Sequence, residues 1–196
     1  MREKKLIYIL IGTIICIFTF SILVSNNNEK AVFTSSTVVS NKKIGWGIKR
    51  AENHEQPDLG SSNLKLLQEY DEIAMGNEED KYVYLTFDNG YEAGYTASIL
   101  DTLKANDVKA AFFITGHYLN SQEELVKRMI DEGHIVGNHT VNHYSMPDID
   151  DEKIKNEIMN LHTSLYEKFG YEMKYIRPPM GEFSERTLNI INSLRI

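Results

Sequence analysis

Short apolar runs alternate with longer amphipathic segments through the second half of this chain. The runs at residues 82–87, 110–114, 135–138 and 175–177 are rich in β-branched and aromatic residues, which is typical of strands. Between them, apolar residues recur every three or four positions, which is the spacing of one helix face. Strands that alternate with helices of this size indicate an α/β fold, in which helices cover a parallel sheet.

Each predicted helix of this region begins at a residue that can cap its first turn. The starts are Thr96, Ser121, Asp150 and Ser184. Ser121 and Glu124 together match the capping-box pattern. Gly133 and Gly170 end the second and third helices, because glycine readily adopts the left-handed conformation found just beyond a helix. A further short helix is predicted within residues 61–75.

The N-terminal segment differs from the rest of the chain. Residues 6–24 carry no charge and follow the basic side chains of Arg2, Lys4 and Lys5. That length is close to the roughly 20 residues that cross a bilayer as a helix, and the flanking positive charge favours an N-terminus in the cytoplasm. We therefore predict a signal anchor over residues 1–24, with a cleaved signal peptide as the alternative. The remainder would face outside as a membrane-anchored domain, or be secreted.

Composition divides the remainder into two parts. Residues 25–79 begin with a stretch rich in Ser, Asn, Thr and Lys and are predicted to form a linker and an N-terminal extension. Residues 80–196 contain the alternating pattern and form the main domain. The formal net charge of −7 argues against a nucleic-acid partner, and Cys16, the sole cysteine, allows no intrachain disulfide or thiolate metal site. The sequence leaves the oligomeric state open.

Residues suited to catalysis follow the predicted strands. Asp88, His117, His139 and Arg177 each lie at or just after a strand's C-terminal end. In parallel α/β barrels the active site forms at that end of the strands. The sequence therefore predicts one shared pocket, in which His117 could contact a substrate.

His139 and His143 are the candidate metal ligands. Two imidazoles four positions apart can bind one zinc-like ion, although a chance pair of surface or core histidines is the plainer interpretation. Thr140 occupies the position at which a zinc-protease helix carries its catalytic glutamate, so that class is excluded. Because the pair follows a strand, we predict a metal site on a loop.

Asp88 and Arg177 are the candidate acid–base pair. Asp88 is either a strand-end cap or a base that takes a proton from an attacking water. Arg177 precedes two prolines and is either a surface residue or the ion-pair partner of Asp88. The backbone amides of Met180 and Gly181 follow the prolines and could stabilise a developing oxyanion.

Three motifs in order resemble those of the polysaccharide deacetylases, the NodB-homology group of carbohydrate esterase family four. They are Thr86-Phe87-Asp88-Asn89-Gly90, His139-Thr140-Val141-Asn142-His143 and Arg177-Pro178-Pro179-Met180-Gly181. The resemblance implies a distorted (β/α) barrel, a divalent metal, often zinc, and removal of N-acetyl groups from the amino sugars of glycan strands. It also implies that Asp88 is the general base, that His139 and His143 bind the metal, that Arg177 orients the base, and that the Met180 amide lies in the oxyanion hole.

Asn89 departs from the family pattern, which has a second aspartate as third metal ligand. An amide oxygen is a poorer ligand, so the resemblance leaves Asn89 as a doubtful third ligand and implies weaker metal binding. The sequence Thr-Phe-Asp-Asn-Gly-Tyr-Glu, together with residues 46–50, is similar to the delta-lactam-biosynthetic de-N-acetylases of the spore cortex. That branch implies peptide-stripped N-acetylmuramic acid as substrate, whose freed amine closes on the lactyl carboxyl group.

Two further motifs of the family, one supplying a general-acid histidine, would fall beyond Ile196. We therefore expect a C-terminally truncated domain with low stability. One alternative is a membrane-tethered remnant that binds glycan without turnover. A second is a glycosidase with Asp88 and Glu92 as its two carboxylates.

Overall fold

The computed structural model describes residues 39–53, 55–77 and 79–194. The predicted signal anchor and the first part of the linker lie outside these residues. Within the described ranges, none of the helices has the length and apolar character needed to cross a membrane.

The described part of the chain contains five strands and six α-helices. In chain order the strands are β1 (Ile44–Gly45), β2 (Thr86–Asn89), β3 (Ala111–Ile114), β4 (Ile135–Asn138) and β5 (Glu182–Phe183). The helices are α1 (Ser61–Glu69), α2 (Thr96–Ala105), α3 (Gly116–Ser121), α4 (Glu123–Asp131), α5 (Asp151–Phe169) and α6 (Glu185–Leu194). Two 3-10 turns, Met146–Asp148 and Pro179–Gly181, complete the set.

A three-stranded parallel sheet carries the fold. Its strands lie in the order β2–β3–β4, and Ile176 extends β4's outer edge through a parallel bridge to Asn138. The predicted α/β class with a parallel sheet is therefore confirmed. The fourth predicted strand, at residues 175–177, is present only as this bridge.

The main core lies between one face of the sheet and helices α2 to α5. Its fully buried members include Leu100, Phe112, Val126, Val136 and Leu161. They come from the sheet and from the inner faces of the helices that pack on it. The predicted boundaries of α5 are also confirmed, because Asp150 caps it by accepting a hydrogen bond from the Lys153 amide and Gly170 follows it with φ 65°.

The predicted capping box at Ser121 is wrong. Ser121 is the last residue of α3, a short helix that the sequence pattern does not reveal, and α4 begins at Glu123 without a side-chain cap. The cap that forms is Thr115, whose hydroxyl accepts a hydrogen bond from the Tyr118 amide (3.2 Å). This cap starts a helix directly after β3, so Ser121 is already helical.

Two other predicted elements are shorter than expected. The strand predicted at residues 82–87 begins only at Thr86, and the preceding Tyr82, Val83 and Tyr84 are exposed. The helix predicted within 61–75 ends at Glu69 and is followed by Asp71 with φ 56°.

A small antiparallel ribbon was not predicted. β1 pairs with β5, with Ile44 opposite Phe183. Each strand has only two residues, too few to produce a recognisable alternation. The ribbon attaches the N-terminal extension to the segment that follows Arg177.

Candidate active site

One row of the parallel sheet forms the floor of the site. Asp88, Phe113 and Gly137 are register neighbours on β2, β3 and β4, so their side-chain positions share one face. A side chain at Gly137 would meet the Phe113 ring at 2.6 Å. Glycine at this position therefore leaves room for the aromatic ring beside Asp88.

Arg177 reaches across this ring to the carboxylate. Its guanidinium carbon lies 4.1 Å from the Phe113 ring centroid, and its Nη1 donates a 2.8 Å hydrogen bond to Asp88 Oδ1. The predicted ion pair is present in the structure, although β3 and β4 separate β2, which carries Asp88, from the bridge at Ile176 that Arg177 follows. Phe113 provides the surface that lets Arg177 span this distance.

His139 and His143 lie on a loop after β4, as the sequence pattern suggests. The loop is tightly turned, because Thr140 and His143 have φ values of 65° and 59°. Such left-handed conformations are unfavourable for residues with a side chain and require support from neighbours. That support comes from Asn138 Oδ1, which accepts from the Thr140 amide (2.9 Å), and from the Thr140 hydroxyl, which accepts from the His143 amide (3.0 Å).

The two imidazoles converge through their Nε2 atoms. His139 Nδ1 lies 2.8 Å from the carbonyl oxygen of Arg177. A carbonyl only accepts hydrogen bonds, so Nδ1 carries the proton and the Nε2 lone pair is free to bind a ligand. That atom lies 3.2 Å from His143 Nε2. Two nitrogens bound to one tetrahedral zinc at 2.0–2.1 Å would lie about 3.3 Å apart.

The environment keeps His139 neutral. Burial lowers the pKa of His139 below its usual value, and the neighbouring His143 imidazole and Arg177 guanidinium act in the same direction. The Arg177 carbonyl and Asp88 oppose the shift without reversing it. Because only a neutral imidazole binds a metal, this lowered pKa favours metal binding in mildly acidic solution.

A metal ion would find two protein ligands here. Among the described residues no group of three or more His, Cys, Asp or Glu side chains could enclose an ion. The geometry of the histidine pair and the tautomer of His139 nevertheless fit a divalent metal, with the other coordination positions left to water or substrate.

Asn89 faces away from this cavity. The cavity is lined by Asp88, Arg177 and both histidines, whereas Asn89, one residue further along β2, points to the opposite side of the sheet. Its Nδ2 lies 3.5 Å from the hydroxyl of Thr96 on α2. The doubtful third ligand is therefore separated from the histidine pair.

Glu92 belongs to the same side as Asn89. Its carboxylate accepts hydrogen bonds from the Gly94 amide (2.6 Å), the Thr96 amide (3.1 Å) and the buried Tyr118 hydroxyl (2.8 Å). Burial alone would raise the pKa of Glu92, but these bonds outweigh it and hold the pKa at about 2. Glu92 anchors the start of α2 and does not join Asp88 in lining the cavity, so the structure gives a two-carboxylate glycosidase no support.

Of the remaining predicted site residues, Met180 and Gly181 line the cavity and His117 does not. Met180, with φ 58°, and Gly181 line the cavity beside Arg177. The Gly181 amide donates to the Pro178 carbonyl (3.3 Å), so the turn itself uses this donor. His117 is exposed in the first turn of α3 and lies outside the set of described residues that line the cavity.

Some residues that hold the site in place belong to none of the three motifs. Besides Phe113 and Gly137, the structure adds Glu157 of α5, whose buried carboxylate binds Asn142 in the histidine loop. One signal was available in the sequence, because an acidic residue at position 157 falls within the apolar stripe that includes Ile154, Ile158 and Leu161.

The fold and the site define an α/β protein in which one cavity joins a carboxylate–arginine pair to two convergent histidines. Residues 75–196 match the family model of the polysaccharide deacetylases. The chain belongs to this family, the NodB-homology group of carbohydrate esterase family 4, as its motifs predict.

Two solved structures and one curated relative place the chain within the family. It is 44% identical over 151 residues to the peptidoglycan-N-acetylmuramic acid deacetylase PdaA of Bacillus subtilis. The structure of that protein superposes with a TM-score of 0.78 at 42% identity, covering 80% of this chain and 68% of that one. A family 4 carbohydrate esterase from Bacillus anthracis gives 0.73 at 42% identity, covering 80% and 72%. The sequence match covers 76% of this chain and only 57% of the curated relative.

Proposed function

We propose that this protein is a metal-dependent hydrolase that removes N-acetyl groups from the amino sugars of peptidoglycan, above all from N-acetylmuramic acid. The convergence of His139 and His143 at 3.2 Å, in the same cavity as the Asp88–Arg177 pair, is the observation that carries this proposal. A carboxylate base beside two convergent imidazoles is the donor set that metal-assisted amide hydrolysis requires.

Each residue has a distinct part in the proposed reaction. His139 and His143 would hold a divalent ion, with zinc as the expected metal, which supplies Lewis acidity towards the acetyl carbonyl and lowers the pKa of water. Asp88 would take the proton from the attacking water, and Arg177 holds its carboxylate in position. The Met180 amide would donate to the oxyanion as the C–O bond forms. The C–N bond then breaks, and the departing amine takes up the proton that Asp88 received from water, so that acetate and the free amine are the products.

The substrate assignment rests on likeness. The name of the Bacillus subtilis relative specifies N-acetylmuramic acid in peptidoglycan. Residues 86–92 carry the Asn-Gly-Tyr-Glu variant of the first motif. We infer that the freed muramic amine closes to a delta-lactam in the spore cortex, and that the domain faces the cell wall, anchored or secreted through residues 1–24. We further propose that the sheet belongs to a distorted (β/α) barrel.

Acetate release from peptide-stripped muramyl glycan tests the proposed activity. This chain should be compared, with zinc present, to a chimera extended by the C-terminal segment of the Bacillus subtilis relative. We expect the chimera to release acetate and Asp88→Asn in the chimera to abolish it. A folded, metal-loaded chimera that releases no acetate would overturn the proposal. Glycan binding by the unsubstituted chimera without acetate release, and retained by Asp88→Asn, would instead support a non-catalytic glycan-binding role.

A further inference from the structure

Trp46 is the sole tryptophan of the chain, and it lines the same cavity as Asp88, His139 and Arg177. Its side chain is 42% exposed. An indole of this size is usually largely buried in a folded domain, so exposure at the edge of a polar site calls for a function.

The backbone on both sides of Trp46 is held in place. On one side β1 pairs with β5, where Phe183 is buried among Leu67 and Leu188. On the other side Lys49 and Asp58 exchange two backbone hydrogen bonds of 3.0 Å each. The Trp46 amide itself donates a 2.7 Å hydrogen bond to the Gly181 carbonyl. Trp46 is therefore positioned against the segment that carries the proposed oxyanion donor.

Gly181 makes this close approach possible. A Cβ atom at this position would lie 2.8 Å from the Cβ of Trp46, and the φ of Gly181 is 64°, so both space and conformation favour glycine. Met180, which is 62% exposed, precedes it. An aromatic ring and a thioether thus stand beside the polar groups of the site.

This arrangement suits a sugar. One face of a pyranose ring presents several C–H groups, which pack against an indole face and are attracted by its negative quadrupole. The hydroxyl and acetamido groups at the ring edge remain free for polar partners. Apolar and aromatic walls with a few fixed polar groups are the usual composition of a small-molecule site.

We propose that Trp46 is a glycan-binding residue, whose indole stacks on a pyranose ring of a β-1,4-linked amino-sugar strand and positions it at the Asp88–Arg177 site. The inference rests on the proposed function for its substrate class. It assigns to the N-terminal extension a part of the binding site that the three motifs do not contain.

Because Trp46 is the sole tryptophan, fluorescence excited at a wavelength that favours tryptophan over tyrosine reports on this one side chain. The full chain is titrated with two probes, the tetramer of N-acetylglucosamine and peptide-stripped muramyl glycan, and acetate release is measured in parallel. We expect a saturable change in emission with at least one probe. A saturable change supports Trp46 whether or not the chain releases acetate, and the proposed hydrolysis is tested separately by the acetate release of the chimera. Acetate release with unchanged emission contradicts Trp46 alone.

Variants separate stacking from folding. Calorimetric titration should show that Trp46→Ala weakens probe binding roughly tenfold, and that Trp46→Phe, which keeps an aromatic face, restores most of it. Tyr166→Ala on α5, where Tyr166 is 51% exposed, is the matched control and should bind like the unchanged chain. Equal affinity for Trp46→Ala and the unchanged chain, or no binding by the unchanged chain, overturns the inference. Loss in Trp46→Ala that Trp46→Phe fails to restore also contradicts stacking.

Discussion

Glu157 accepts two hydrogen bonds from Asn142, one from its backbone amide at 2.7 Å and one from its side-chain Nδ2 at 2.6 Å. Glu157 is only 6% exposed, and its own carbonyl also accepts from the Val141 amide at 3.1 Å. A buried carboxylate is stable only where such donors surround it. Helix α5 therefore holds the loop between the two histidines through three hydrogen bonds to one residue.

Replacing Glu157 by glutamine should weaken metal binding. The amide keeps the shape of the carboxylate but must turn an N–H group towards one of the two Asn142 donors. The histidine loop would then lose a constraint that maintains the 3.2 Å separation of His139 and His143. Replacing a residue that supports a metal ligand typically lowers metal affinity by about 10–100-fold. We therefore expect Glu157→Gln to raise the zinc dissociation constant roughly tenfold. The constant is measured by competition with a chelator.

The matched control is Glu167→Gln, an exposed position on the same helix. It should leave the zinc dissociation constant unchanged. If Glu157→Gln binds zinc as tightly as the unchanged chain while remaining folded, the loop does not depend on this carboxylate for its geometry.

The assigned metal ligands can be tested by composition. The double variant His139→Ala, His143→Ala should lose bound zinc, measured by elemental analysis after dialysis against limiting metal. His162→Ala, on α5, is the control and should retain it. Retained zinc in the double variant would show that the ion is bound elsewhere.

Arg177→Lys should reduce hydrolysis while leaving Asp88 in place. Lysine keeps the charge but lacks the planar group that lies over Phe113 and donates to Asp88. In the chimera that releases acetate, we expect Arg177→Lys to lower kcat by roughly 10–100-fold and to leave KM little changed. The substitution disturbs the orientation of the Asp88 base and not the binding of the substrate. Arg128→Lys, on α4 beside Asp101, is a like-for-like control and should keep full kcat. An unchanged kcat for Arg177→Lys would exclude the orienting role.

The sequence predicts the site better than it predicts the framework beneath it. Local periodicity alone locates the ends of the predicted strands. It therefore predicts that Asp88, His139 and Arg177 lie at the same edge of a parallel sheet. The reach of Arg177 over Phe113 depends on the strand order and on Gly137, and neither is encoded in a local pattern. The opposite orientation of Asn89 follows from strand alternation once the bounds of β2 are known.

The stability of the metal-free protein should depend on pH through the protonation of His139. Its pKa is lowered in the folded state, so between that pKa and the ordinary value near 6.5 the unfolded chain binds more protons than the folded one. The corresponding stability is fully present above about pH 6.5 and is lost as the pH falls through the folded pKa. Chemical denaturation of His139→Gln should therefore show a shallower loss of stability than the unchanged chain over this range. Identical slopes would contradict a lowered pKa.

The stability of the folded protein should also depend on pH in a more acidic range, through Glu92. Its folded pKa of about 2 lies below the ordinary glutamate value of 4.5, so its contribution is present above about pH 4.5 and is lost as the pH falls towards 2. Glu92→Gln keeps an acceptor for the Gly94 and Thr96 amides but loses the charge that strengthens all these bonds. We expect its melting temperature to be lower than that of the unchanged chain at pH 6. The difference should shrink as the pH falls below 4.5, because the unchanged chain loses the same charge. A constant difference would mean that Glu92 acts through packing alone, whereas the exposed Glu167→Gln should show no difference at either pH.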